Sequence, residues 1–342
     1  MEKITIGVVG ALGAVGTCMI RCIEESGLPV SKLIPLDVHE NEGKTLRYRG
    51  SDVSVREAGK GSFQGIDIAL FSAGAQASRT LAPVAVEEGC TVIDNSSEWR
   101  MKGGVPLVVP EVNPEALRRH RGIIANPNCS TIQMLVALKP LHDAFRIKRI
   151  VVSTYQAVSG TGQKAVKELE DQARQFVADR EITKSVYPHR ILFNCLPQID
   201  DFLDSGYTKE EMKMVNETRK ILGDRDIRVC PTAVRVPVFR GHSESINIET
   251  EKPLPPPSEI RQILRKAPGV SVIDDIENKK YPMPVDCVGK GDTFVGRIRS
   301  DPTVENGLSL WVVADNLMKG AALNAVQIAE LLCEKGLIKG ET

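Results

Sequence analysis

One cysteine and one histidine in this chain stand where acyl chemistry could be done. Cys129 follows a strand-like run, Gly122-Ile123-Ile124-Ala125, and a tight Asn126-Pro127-Asn128 turn. It then opens a helix through Ile132, Leu135 and Leu138. A thiolate at a helix N-terminus is favoured by the dipole and by unpaired N–H groups, which makes this an address for a nucleophile. The bland alternative, a small buried thiol, is the ordinary state of a cysteine. It is the reading for the other seven, at 18, 22, 90, 195, 230, 287 and 333. They form no Cys-x-x-Cys pair, and Cys18 and Cys22 have no His nearby, so no metal site is expected. Acyl transfer also needs an acid or base. His39, His120 and His142 lie in charged or helical surroundings and read as surface residues; His189 lies in a loop. His242, between Arg240-Gly241 and an alternating strand, is the best candidate.

A second chemical feature is the turn Gly10-Ala11-Leu12-Gly13-Ala14-Val15-Gly16, set between a buried strand and a helix. Glycines let the backbone turn tightly, and the helix N-terminus offers N–H groups to a phosphate. The spacing is Gly-x-x-Gly-x-x-Gly rather than Gly-x-Gly-x-x-Gly, so the triplet alone also fits a plain turn. The strand before, the helix after and an acidic residue, Asp37, some twenty positions on match a dinucleotide-binding unit.

The elements that must carry these residues follow from periodicity. Residues 3–9, 31–37, 66–73 and 90–94 read as strands, and 14–26 and 76–89 as helices. That alternation implies a parallel sheet with helices on both faces. The middle differs, with strand-like stretches at 149–155, 228–237 and 243–249, the last alternating as a half-exposed antiparallel strand should. A charged amphipathic helix is expected at 163–178, and another at 259–267 with Ser258 as N-cap. Strands near 292–299 and 308–314 and an apolar helix over about 315–335 complete the chain. With 342 residues, two domains are the length-based expectation. Forty-four basic and 44 acidic side chains give zero net charge, which argues against a nucleic-acid partner. No apolar run approaches the ~20 residues of a membrane helix. The N-terminus lacks a signal-peptide pattern, so a cytoplasmic location is expected.

Taken in order, the motifs resemble the bacterial-type aspartate-β-semialdehyde dehydrogenases. The blocks are the glycine turn at 10–16, Asn95-Ser96-Ser97 with Arg100, Pro110-Glu111-Val112-Asn113, Asn126-Pro127-Asn128-Cys129-Ser130-Thr131, the stretch from Thr154 to Gly160, Asn216 to Leu222, Arg235 to His242, and Ala314 to Ala322. The resemblance implies an α/β chain of two parts. One is a Rossmann-like dinucleotide domain at 1–128, completed by a C-terminal helix at 314–342. The other is an α+β catalytic and dimerisation domain at 129–313 with a mixed sheet. It implies reductive dephosphorylation of L-aspartyl 4-phosphate to the 4-semialdehyde, in lysine, threonine, methionine and isoleucine biosynthesis.

Carried onto matching positions, Cys129 resembles the thioester-forming nucleophile, Gln156 the group orienting that intermediate, and His242 the acid/base. Arg235 and Glu217 would hold the substrate's carboxylate and amine, with Gln156 beside them; Arg100, Lys220 and Asn95 would bind phosphate. The cofactor would meet Gly10, Leu12, Gly13, Ala14, Val15, Gly16, Asp37, Glu40, Asn41, Ser72, Gly74, Ser159, Gly160 and Asn316. On spacing alone, Glu217 and Lys220 read equally as an i,i+3 surface ion pair.

The resemblance implies NADP, a homodimer, a small-molecule substrate and neither nucleic acid nor membrane as partner. One segment departs from the family pattern Leu-Ala-Ser-x-Arg-Ser-x-Gly-Lys. Here it reads Leu36-Asp37-Val38-His39-Glu40-Asn41-Glu42-Gly43-Lys44. Carboxylates stand where a 2′-phosphate would be held, and Asp37 could accept ribose hydroxyls, so NAD use is expected. The rival readings are an N-acetyl-γ-glutamyl-phosphate reductase, against which a carboxylate at Glu217 speaks, and a non-catalytic dinucleotide-binding paralogue.

Overall fold

A computed structural model describes residues 2–339; the outermost residues of the two-part division, Met1 and Gly340–Thr342, lie outside them. The chain forms two compact units, residues 1–128 with 320–342, and residues 129–319.

The first unit is built on strands β1 (Ile4–Val9), β2 (Val30–Asp37), β3 (Thr45–Tyr48), β4 (Ser51–Ser54), β5 (Arg56–Glu57), β6 (Ile68–Phe71), β7 (Thr91–Asp94) and β8 (Ile123–Ala125). Six of them make a sheet in the order β5-β2-β1-β6-β7-β8, every pair parallel. β6 and β7 are buried throughout, as parallel strands covered on both faces must be. β3 and β4 form a separate antiparallel hairpin that the periodicity of this polar stretch did not announce. Helices α1 (Ala14–Glu25) and α2 (Gly74–Glu87) follow β1 and β6. The C-terminal helix, Leu323–Lys335, packs against α1 and β7. It starts later than the apolar pattern suggests. Met318–Ala322 is a π-type turn, and Asp315 and Asn316 are tied to Arg240 and Gly241 within the second unit. His120 is buried rather than superficial: its Nε2 lies 2.8 Å from the Leu337 carbonyl, despite three flanking arginines.

The second unit begins with α3 (Cys129–Phe145), buried continuously from Ser130 to Leu138. Strands β9 (Ile147–Gln156), β10 (Arg228–Arg235), β11 (His242–Thr250), β12 (Val270–Val272), β13 (Thr293–Asp301) and β14 (Gly307–Ala314) form a mixed sheet ordered β10-β9-β11-β14-β13-β12. Helices α4 (Gln163–Val177), α5 (Lys209–Leu222) and α6 (Pro257–Arg265) complete it. α6 starts at Pro257 with Pro256 as its N-cap, so Ser258 lies inside the helix instead of capping it. Proline's fixed φ suits a first helical position, and the proline run therefore feeds the helix directly. Along β9 and β11 the even-numbered residues point inward, which puts Gln156, Thr154, His242 and Glu244 on the buried face. Among the described residues no helix is long and apolar enough to cross a membrane.

Candidate active site

Cys129 is the first residue of α3 and is partly accessible, unlike the buried Cys18, Cys22, Cys90 and Cys287. Cys195 and Cys230 are exposed rather than buried. The neighbouring Ser130 hydroxyl accepts a 2.9 Å hydrogen bond from Gln156 Nε2, which joins the start of α3 to the end of β9.

β9 continues into Ala157, and this one residue holds two of the candidate side chains. Its backbone N–H donates to His242 Nδ1 at 3.0 Å, and its carbonyl accepts from Arg235 Nη1 at 2.7 Å. With Nδ1 accepting, a neutral His242 ring carries its proton on Nε2. Among the described residues, Nε2 is buried with no hydrogen-bond partner. Burial holds the His242 pKa well below its ordinary value, and the Arg235 charge pushes the same way. Arg235 ends β10, directly opposite Gln156 in the ladder, and its Nε is likewise buried with no partner among the described residues. It also borders a cavity of about 370 Å³ with Thr161, Tyr187, His189 and Leu196. Gly160 is confined by these groups: a Cβ there would lie 2.9 Å from Arg235 Nη1 and 3.2 Å from His242 Nε2. Ser159 and Asn316 are bound to each other, Oγ lying 3.0 Å from Nδ2, and Asn316 Oδ1 accepts the Gly241 N–H just before His242.

α5 carries Glu217 and Lys220. Glu217 is only 1% exposed, which removes the surface-pair reading. Burial lowers the Lys220 pKa and Glu217 opposes that shift. A group that sequence reasoning missed sits at the start of this helix: Glu210, whose Oε1 accepts from Gln156 Nε2 at 3.2 Å. It lies in a Lys-Glu-Glu-Met-Lys run that reads as an ordinary solvated face.

In the first unit, Arg100 donates to the Asn95 carbonyl at 2.8 Å and the Asn126 carbonyl at 3.0 Å, so it spans the loops after β7 and β8. Both polar atoms of the Asn95 side chain are buried with no hydrogen-bond partner among the described residues. The glycine turn is as tight as its residues imply. Gly10 has φ +78°, and a Cβ there would meet the Ser72 carbonyl at 2.5 Å. At Gly16 a Cβ would lie 2.1 Å from the Gly10 carbonyl, so α1 lies hard against the turn. Gly13 caps α1 without a side-chain bond and no acidic residue follows in the first turn, a terminus suited to a phosphate. Leu12 lies in this turn and Ala14 and Val15 open α1; Gly74, φ +81°, opens α2 just past Ser72.

Asp37 is largely committed to the protein. Its carboxylate accepts from Leu12 N at 3.0 Å, Val38 N at 2.9 Å and Asn41 Nδ2 at 2.8 Å. Of about four accepting positions on a carboxylate, roughly one is left for a ribose hydroxyl. Glu40 and Glu42 are exposed beside it. His39, Glu42 and Glu57 bring candidate ligand atoms within 4.8 Å of one another, all three residues exposed.

Comparison with known proteins is consistent across the chain. The family "Semialdehyde dehydrogenase, NAD binding domain" matches residues 5–120, and "Semialdehyde dehydrogenase, dimerisation domain" matches 138–319. The aspartate-semialdehyde dehydrogenase of Aquifex aeolicus is 55% identical over 337 residues, covering 97% of this chain and 99% of that protein. The structure of aspartate semialdehyde dehydrogenase II from Vibrio cholerae, complexed with ASA, matches with a TM-score of 0.95 at 47% identity, covering 98% of this chain and 99% of that one. A Candida albicans aspartate semialdehyde dehydrogenase solved with NADP matches at TM-score 0.78 and 26% identity, covering 98% and 100%.

Proposed function

The chain belongs to the aspartate-semialdehyde dehydrogenase family, and from that premise we propose that it converts L-aspartyl 4-phosphate to L-aspartate 4-semialdehyde through a thioester on Cys129. The observation that carries the assignment of roles is the double hold of Ala157, which sets His242 and Arg235 beside the end of β9.

The Cys129 sulfur attacks the acyl carbon and phosphate departs, which divides one difficult displacement into two easier steps. Arg100, Lys220 and Asn95 receive the phosphate. Arg235 takes the substrate's α-carboxylate, a match between a planar guanidinium fork and two oxygens. Buried Glu217 takes the α-ammonium; an acetylated amine is uncharged and gives up that ion pair, which disfavours the longer N-acetylated substrate. A reduced nicotinamide, when bound, supplies the hydride for the thioester carbon. His242 presents Nε2–H to the oxygen on which charge then develops, acting as a donor; the thiolate leaves as that charge collapses. Gly10, Gly13 and Gly16 fit the pyrophosphate.

The acidic turn supports relaxed or NAD-leaning cofactor use. Glu40 and Glu42 would repel a 2′-phosphate, and the Asp37 carboxylate stands beside the ribose position. The dimerisation-domain match supports a homodimer, and a cytoplasmic place of work suits such a biosynthetic enzyme.

Progress curves with aspartyl phosphate and either NADPH or NADH test the whole reading. Turnover is expected with both cofactors, with no large kcat/KM preference for NADPH, and Cys129→Ala should abolish it. Turnover of N-acetyl-γ-glutamyl phosphate alone would overturn the substrate, and a strong NADPH preference would overturn the cofactor reading.

A further inference from the structure

We propose that Glu210 is a positioning residue for this reaction: it fixes the Gln156 amide with nitrogen turned inward, so that Gln156 offers only its oxygen to the substrate. The inference rests on the function proposed above and deepens it.

Gln156 is 1% exposed, and its amide nitrogen has two hydrogens to give. Both are spent, one on Ser130 Oγ at 2.9 Å and one on Glu210 Oε1 at 3.2 Å. Oε1 makes no hydrogen bond among the described residues. Ser130 alone cannot choose the amide's orientation, because a hydroxyl donates or accepts equally well. Glu210 can. An ionised carboxylate only accepts, so a flipped amide would set oxygen against oxygen at that distance with no proton between them.

The carboxylate is itself held in place. Glu210 is 5% exposed, and a buried carboxylate needs a partner. Lys213, one turn further along α5, reaches Glu210 Oε2 at 3.2 Å and Asp200 Oδ2 at 2.7 Å. Burial works against the Lys213 ammonium, but Glu210 and Asp200 outweigh it and keep its pKa above the ordinary value. A line of polar contacts therefore runs from Asp200 through Lys213, Glu210 and Gln156 to Ser130, next to the nucleophile. The adjacent Glu211 has a different task, completing the helix cap and accepting the Ala233 N–H.

An amide locked this way is an acceptor. It steers a donor, such as the substrate ammonium or a bound water, and leaves stabilisation of the carbonyl oxygen to His242.

A double-mutant cycle tests the assignment: wild type, Glu210→Ala, Gln156→Ala and the combination, assayed with aspartate semialdehyde, phosphate and oxidised cofactor, with melting curves alongside. Glu210→Ala should lower kcat by about 10–100-fold, the size expected for a misplaced reacting group. The KM for phosphate should barely move. In the Gln156→Ala background the same substitution should change kcat by no more than about two-fold. If Glu210→Ala fails to fold, Glu210→Gln enters the same cycle. Additive losses, or an unchanged kcat, overturn the positioning role while wild-type turnover leaves the function standing. Absence of wild-type turnover overturns both.

Discussion

Ala157 holds two of the proposed functional side chains through its backbone. Its peptide groups hold His242 and Arg235, so the imidazole has a fixed tautomer and the guanidinium a fixed arm. A neutral ring with Nε2–H follows, and with it a pH prediction. Because burial depresses the His242 pKa, the ring stays neutral as pH falls through its ordinary value of 6.5. The kcat profile should show no limb there, whereas His242→Ala should lower kcat by about 10²–10³-fold, as for loss of one oxyanion donor. A limb near 6.5 that disappears in the variant would assign His242 as a base instead. Cys129 and His242 stand out in the sequence because a cysteine after Asn-Pro-Asn and a histidine opening an alternating strand are locally odd. Glu210 does not, since its contact with Gln156 spans 54 positions of sequence. His120 misleads for the same reason: Arg118, Arg119 and Arg121 suggest solvent, while the C-terminal segment covers it.

The element that carries Glu217 and Lys220, the proposed substrate and phosphate groups, is α5. Thr208 and Glu211 form a capping box, Thr208 N donating to Glu211 Oε2 at 2.7 Å, and Gly223 ends the helix in the left-handed region at φ +65°. Glu211 Oε1 also accepts from Ala233 N at 2.9 Å, so the cap fastens the helix to β10, whose last residue is Arg235. Thr208→Ala should lower stability by about 1 kcal/mol, measured in denaturant. Glu211→Ala should cost more, since it also strips a buried N–H of its acceptor. Equal losses would mean that the strand contact contributes nothing. The Thr208 and Glu211 spacing is readable as a cap from sequence, but its second bond to β10 is not, because cross-element pairing has no local signature. The β3–β4 hairpin escapes for a related reason: its short polar strands lack the apolar alternation that marks a half-buried sheet.

For the whole molecule, charges sum to zero, yet Glu244 is fully buried two residues after His242. Burial raises its pKa well above 4.5, with only the Gln133 side chain opposing. A group with a raised folded-state pKa contributes stability below its unfolded value and loses it as pH rises toward the folded one. Glu244→Gln should therefore melt like wild type near pH 4 and above it at neutral and alkaline pH. A difference in Tm that does not change with pH would show that Glu244 does not titrate between the folded and unfolded states. At this scale the sequence is most legible: alternating strands and helices announce the parallel sheet, and the glycine turn announces its ligand end. The point at which the chain returns is less so, because the apolar stretch from 315 runs through a π-type turn without changing composition.

That return has a consequence for synthesis. The first unit is finished by the C-terminal helix and by Leu337, which reaches His120, and between its two parts lies all of the second unit, residues 129–319. At a translation rate of about 5–20 residues per second, roughly 10–40 s pass between the emergence of β8 and that of the helix. During that interval the nascent parallel sheet leaves bare the apolar surface destined for Ala325, Ile328, Ala329 and Leu332. The ribosome-bound half-molecule is thus a natural client for chaperones.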